Sequence, residues 1–434
     1  MRLSGVGRRV AMACAVTLLA WGVGALPANA ADAAAERADD APALVQIGFS
    51  KSSGARLNPG PSERHGGAET VKVDASVLPA APGDDEPQSR ASSIWYPQIP
   101  QYGNPTGGAS ISAAGVPVDT PATPKVVGTG TAGSCTSAAL QSALFGGGHV
   151  TFNCGSSPVT ITVSSTLYLC NTHNCAHPWQ GGTSVNSLVV DGGGLVTLSG
   201  GGNRGIFYAN TCEEEFGWRD ASCQNDTTPV VVFQNIAFSG GNATSIQTGW
   251  EGPGGGGGGG AIAMRGGQLK VYNSHFSGNR CVTAHSDAGG GAIRLTGQEA
   301  TSYVVNSTIE SNQCANGGGV SVLHAPLTVL NSVISGNTAT GTGASSGNGG
   351  NGGAVYSDGT WKEVLIDGSI LSGNVAPEGG PGVFYVSNDR AGHLSIRNSQ
   401  IINNTGQRFY TSPYRDIFYL GRQSLPTVTN STVE

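Results

Sequence analysis

Apolar and polar positions alternate with a period of two along most of the second half of the chain, in short runs that recur every 27 to 35 residues. The runs begin at Gly260-Ala261-Ile262, Gly291-Ala292-Ile293, Gly318-Gly319-Val320, Gly353-Ala354-Val355 and Pro381-Gly382-Val383. Within each, Ile262 and Met264, Ile293 and Leu295, or Val320 and Val322 share one side, and Ala263 and Arg265, Arg294 and Thr296, or Ser321 and Leu323 share the other. A period of two at this length reads as a short strand with one buried face. A second run in each repeat carries Asn-Ser: Asn273-Ser274, Asn306-Ser307, Asn331-Ser332 and Asn398-Ser399. Six residues further on comes another asparagine, at Asn279, Asn312, Asn337 and Asn404. Asn235 to Asn242 and Asp367 to Asn374 repeat the unit with a one-residue slip.

A unit of about 30 residues with two short strands cannot bury its inner face alone, so neighbouring units must stack. The spacing predicts an all-β chain: a single-stranded, right-handed parallel β-helix, or solenoid, of about seven or eight coils. Its branched residues form a shared interior. Its asparagines stand one above another, each amide within reach of its copy about 4.8 Å away. Leu140 and Leu144, four apart in Thr136–Leu144, predict a short amphipathic helix that caps the first coil.

Cysteine positions agree with that register. Cys281 and Cys314 each follow the second asparagine of their repeat by two residues, so stacking brings them within disulfide range. Proximity in sequence adds Cys135–Cys154, Cys170–Cys175 and Cys212–Cys223. Ligand types alone would allow a metal cluster in Cys170–His177, but an oxidising compartment favours a disulfide loop there. That compartment is implied by residues 1–30, where Arg2, Arg8 and Arg9 precede an apolar run and Ala28-Asn29-Ala30 forms a small-x-small cleavage site. The expected organisation is a signal peptide over 1–30, a low-complexity leader or linker over 31–124, and the β-helix domain over 125–434. The Ile94–Pro97 cluster could dock on the folded body. Loss of the three arginines takes the formal charge from −6 to −9. Such a surface argues against nucleic acid and anionic membranes as partners, and no later run is apolar enough for a transmembrane segment. The expected product is an extracellular protein, secreted or held at the cell surface.

The motifs Gly259-Gly260-Ala261-Ile262, Phe276-Ser277-Gly278-Asn279, Gly290-Gly291-Ala292-Ile293 and Gly352-Gly353-Ala354-Val355 resemble the repeats of chlamydial polymorphic membrane proteins. More broadly, the chain looks like the right-handed parallel β-helix, or pectin-lyase-like, superfamily over about residues 135–434. The first resemblance implies an adhesin-like, non-enzymatic rod that binds surface glycans. The second implies, as an alternative, a polysaccharide lyase or glycoside hydrolase working along the helix groove. A lyase would place calcium beside a uronate, whereas binding needs no cofactor. The Asp-rich elements of polygalacturonases and the Arg-x-Pro-x-x-Arg of pectate lyases are absent. The only Asp-Asp pairs, Asp39-Asp40 and Asp84-Asp85, lie in the leader.

Candidate polysaccharide-binding residues fall in two groups. The outward row of first strands offers Arg265, Arg294, Tyr356, Asp358 and Phe384, where rings beside cations suit a sugar. Length variation concentrates at 243–258, 280–288 and 338–350, and insertions at one corner emerge on one side of a stack. They carry Trp250, Glu251, His285 and Asp287. Asp389-Arg390 reads as a local turn and Val190–Gly194 as a coil turn. No residue can be assigned a catalytic role from these patterns, and oligomeric state leaves no trace in them.

Overall fold

The computed structural model describes residues 99–170, 183–184, 186–210, 227–244 and 257–434, with the backbone alone for Cys170 and residues 183–184. The expected signal peptide and the expected leader up to residue 98 lie outside the described residues, as do Cys175, Cys212, Cys223, Trp250 and Glu251 and the expected Cys170–Cys175 and Cys212–Cys223 pairings. Among the described residues the chain is all-β, apart from the helix Ser137–Leu144 and short 3-10 turns at Ala132–Ser134 and 243–244. Every pairing between its strands is parallel. This architecture fits a parallel β-solenoid.

One sheet has seventeen strands and another nine. The larger is two ladders joined where the long strands Ser187–Ser199 and Val230–Ser239 run through a corner that later repeats break. In the nine-stranded sheet, eight strands follow one per repeat from Leu167–Cys170 to Ile417–Leu420, and Thr183–Ser184 pairs beside the first. Ile262, Ile293, Val320, Val355, Val383 and Ile417 pair in register and are fully buried. They share one continuous core with Phe276, Ile309, Ile334, Leu371 and Ile401 from the larger sheet. The expected interior column is therefore present. Leu140 and Leu144 of the helix join the same core, and the Thr136 hydroxyl accepts from the Ala139 N–H at its start.

The glycines and asparagines have separate physical roles. Gly259, Gly290, Gly317, Gly352 and Gly380 each turn at positive φ, between 51° and 77°, three residues before a strand. The first asparagine column also lies at positive φ: Asn235, Asn273, Asn306, Asn331, Asn398 and Asn430, between 43° and 51°. Asparagine tolerates this conformation better than other side chains do. Gly368 holds the place in the remaining repeat, so that repeat has a replaced residue rather than a slip. The second column forms the expected ladder. Nδ2 of Asn279, Asn312, Asn337 and Asn374 donates to Oδ1 of the next member at 3.0, 2.9, 3.0 and 2.9 Å, ending at Asn404. The first column does not form one continuous ladder, because several of its amides turn to other partners. A serine column stands beside it instead, each backbone N–H donating to the next hydroxyl from Ser274 to Ser431.

Cys281–Cys314 and Cys135–Cys154 are bonded, with Cα separations of 4.8 and 5.6 Å. Residues 100–118, within the segment that composition assigns to a linker, lie along the larger sheet and hydrogen-bond to Asn273, Thr308, Asn331 and Gln234. No strand period announces them, because side chains of the body satisfy their backbone. Among the described residues no helix is long and apolar enough to cross a membrane.

Candidate functional site

Outward-pointing residues of the nine-stranded sheet stack as Ala263, Arg294, Ser321, Tyr356, Phe384 and Phe418. Tyr356 lies face to face with Phe384 at 5.2 Å, and Phe384 with Phe418 at 5.0 Å. An open platform was the expectation, and it needs correction: Arg294, Tyr356 and Phe384 are all buried. The glycine turns before each strand fold back over this face. A Cβ on Gly289 would collide with Ser321 and Arg294, and one on Gly352 with Tyr356. Phe409 packs edge-on against Phe384 and Phe418. The aromatic row is thus a second, outer core.

Arg294 is enclosed beneath these turns. Its Nη1 donates to the Ser321 hydroxyl and its Nη2 to the Asp287 carbonyl at 2.8 Å, while Nε has no partner. Burial pulls the guanidinium pKa down, opposed by Tyr356, Asp287 and Asp358. His285 and Asp287 are exposed, as expected of an insertion, but His285 is engaged locally: Nδ1 accepts the N–H groups of Asp287 and Ala288 at 3.1 and 3.2 Å. Arg265 is on the same outer face, paired in register with Thr296. The register separates it from Asp358 by the intervening strands of Thr296 and Leu323.

Asp358 lies where this buried layer meets the surface. Its Oδ2 accepts from the Tyr356 hydroxyl at 3.0 Å and its Oδ1 from Asn388 Nδ2 at 3.2 Å. Burial raises its pKa to about 6 despite these bonds, and pushes the Tyr356 phenol well above its ordinary value. Beside it is a shallow dent lined by Ser357, Asp358, Gly359, Thr360, Lys362, Tyr385 and Val386. Trp361, between the lining residues Thr360 and Lys362 in sequence but not itself part of the lining, has 48% of its surface exposed. Lys362 Nζ sits 3.4 Å from the indole centroid and 2.9 Å from Glu299 Oε2. The Trp361 backbone N–H donates to Asp389 Oδ1 at 3.0 Å, which fixes the turn. Burial acts to raise the Asp389 pKa, but hydrogen bonds from Ser387, Trp361 and Ala391 outweigh it and hold the carboxyl below its usual range. The Asp389-Arg390 element is therefore a turn, as read. His324 Nδ1 accepts from the Thr360 N–H at 3.2 Å; burial, with Lys362 and Arg294 nearby, lowers its pKa.

The structure brings Arg294, Tyr356, Asp358 and Phe384 into one cluster and leaves Arg265 and His285 outside it. It adds Trp361, Lys362, His324, Asn388 and Asp389, which sequence reasoning did not select. An aromatic residue following Gly359-Thr360 at a coil corner was the available signal. Among the described residues no three His, Cys, Asp or Glu side chains are grouped to hold a metal ion. What the arrangement offers is an exposed indole face, a titratable carboxyl and several fixed polar groups around an open dent. Comparison with known proteins finds no matching family model, no matching curated protein and no matching solved structure.

Proposed function

We propose that this chain is a secreted, right-handed parallel β-helix of the pectin-lyase-like type that binds extracellular or cell-surface glycans without cleaving them. In this reading the helix Ser137–Leu144 caps its first coil, and the rod displays its site as the adhesin-like polymorphic membrane proteins would. The observation that carries the proposal is the exposed Trp361 ring, with Lys362, a lining residue of the Asp358 dent, over its indole. An indole face stacks on the C–H face of a sugar while neighbouring polar groups take its hydroxyls. An open dent suits one ring of a polymer better than a free small molecule. The two disulfides fit an oxidising compartment.

One observation favours the alternative of a lyase or hydrolase. Asp358, with a pKa near 6, is suited to exchanging a proton close to neutral pH. Calcium belongs to the lyase form of that alternative, where it would neutralise a uronate.

Retention on immobilised glycans and product release from a panel of acidic and neutral polysaccharides, with and without calcium, separate the two. Binding predicts retention without reducing ends or unsaturated uronides. Trp361→Ala should weaken it about tenfold, or about 1.4 kcal/mol, with unchanged circular dichroism. Equal retention by the variant removes the site from consideration. Product release that disappears in Asp358→Asn establishes the enzyme instead.

A further inference from the structure

Residues 99–119 lie on the larger sheet's asparagine corner in an unusual way: body side chains read their backbone, using one primary amide at each of three places. Asn273 accepts the Tyr102 N–H and donates to the Pro100 carbonyl, both at 3.0 Å. Asn331 accepts the Ala109 N–H at 2.8 Å and donates to the Ala109 carbonyl at 3.0 Å. Gln234 does the same to Val118, at 2.9 Å each way. A primary amide carries one acceptor and two donors, so it matches the N–H and C=O edge of an extended chain whatever that chain's side chains are.

Selectivity enters through space. A Cβ on Gly103 would strike the backbone of Asn306 and Asn331. One on Gly107 would strike the Gly368 carbonyl and the Asn331 amide oxygen. Further contacts set the register. Tyr102 stacks on His275 at 5.1 Å, and Ala109 and Ile111 pack with Val305 and Leu330.

We infer that the asparagine corner is a peptide-docking groove for an extended, glycine-containing segment, and that residues 99–119 of this same chain are its exchangeable ligand. The inference stands apart from the glycan reading, since Trp361 and Asp358 take no part in it. The groove needs its own explanation because each amide is committed to a different repeat. Asn273 and Asn331 belong to the left-handed column, where Gly368, with no side chain, holds the same turn at φ 61°. As a ligand, the segment would tie the leader to the rod through its main chain, and a peptide of like shape would displace it.

The test uses the full chain with a protease recognition sequence inserted between Thr120 and Pro121, both exposed. After cleavage the N-terminal fragment should co-elute with the body on size exclusion. A synthetic peptide of residues 99–119, supplied at about millimolar concentration to match a short tether, should displace it. The same peptide carrying Gly107→Val should not. Three results would overturn the inference: spontaneous release on cleavage, retention that the native peptide never competes, or equal competition by the Gly107→Val peptide. Circular dichroism of the body after displacement gives a separate check, since loss of its β signal would show the segment to be part of the fold rather than a ligand.

Discussion

Replacing Asn337 by alanine probes the amide ladder at its middle. The side chain is fully buried and makes five hydrogen bonds. Its Oδ1 accepts from the Asn312 backbone N–H at 3.0 Å and from Asn312 Nδ2 at 2.9 Å. Its Nδ2 donates to Asn374 Oδ1, the Ile309 carbonyl and the Ser335 carbonyl at 3.0, 2.9 and 3.1 Å. Most partners have alternatives once it is gone. Asn312 Nδ2 keeps the Phe276 and Glu310 carbonyls, and Asn374 Oδ1 keeps the Asn337 backbone N–H. The Asn312 N–H is the group left without its acceptor. One orphaned buried donor costs about 1–3 kcal/mol, and net loss among the remaining bonds adds about 1 kcal/mol. Asn337→Ala should therefore lower stability by about 2–4 kcal/mol in urea unfolding followed by circular dichroism. Thr429→Ala, at an exposed position of the last ladder, should stay within about 0.5 kcal/mol of wild type. Hydrogen exchange gives the local signature, since the Asn312 amide should lose protection more than amides two coils away. A loss under about 0.5 kcal/mol, or unchanged exchange at Asn312, would refute the claim that the ladder is a structural support.

Two further outcomes follow from named groups. Burial raises the Asp416 carboxyl to a pKa of about 6. The folded state therefore holds this proton more tightly than the unfolded chain, and the group's contribution to stability falls as pH rises from about 4 to about 6. Asp416→Asn keeps an acceptor for Asn404 and should remove that slope, gaining of order 1 kcal/mol at pH 7 after allowance for solvent screening; an unchanged pH profile would contradict the assignment. Reduction of the Cys281–Cys314 bond, or Cys281→Ser, should lower stability by about 2–4 kcal/mol in denaturant titration, and peptide mass mapping that found the pair unbonded would break the coil register itself.

The features legible in the sequence are those that repeat. Ile262 through Val383 recur at repeat spacing and imply parallel stacking, and the second asparagine column, through Asn279 and Asn312, places Cys281 beside Cys314. Turn chemistry is only partly legible in the sequence. Gly260, Gly291, Gly318 and Gly353 read as strand starts, whereas the positive-φ glycines just before them turn the chain over the outer face against Arg294 and Tyr356, and Phe409 packs on Phe384. A period of two identifies which side chains share a face; it carries no information about what covers that face. Residues 99–119 were hidden for a related reason. Their order comes from amides of Asn273, Asn331 and Gln234 far along the chain, so no local pattern marks them. Trp361 occurs once, outside the repeated positions, so no repeat alignment marks it.

The asparagine ladder has a direction. From Asn279 to Asn404 every amide hands its N–H toward the following coil, so the small dipoles add, with their positive ends facing the chain's later repeats. At that pole Asn404 Nδ2 meets Asp416 Oδ2 at 2.6 Å. The column thus resembles a helix whose donor end has drawn an anion, with side chains in place of peptide groups. Any repeat grafted after Asn404 must offer an acceptor at this position, and a block of coils inserted upside down would set donor against donor. Polarity of this kind makes the stack extendable in one sense only.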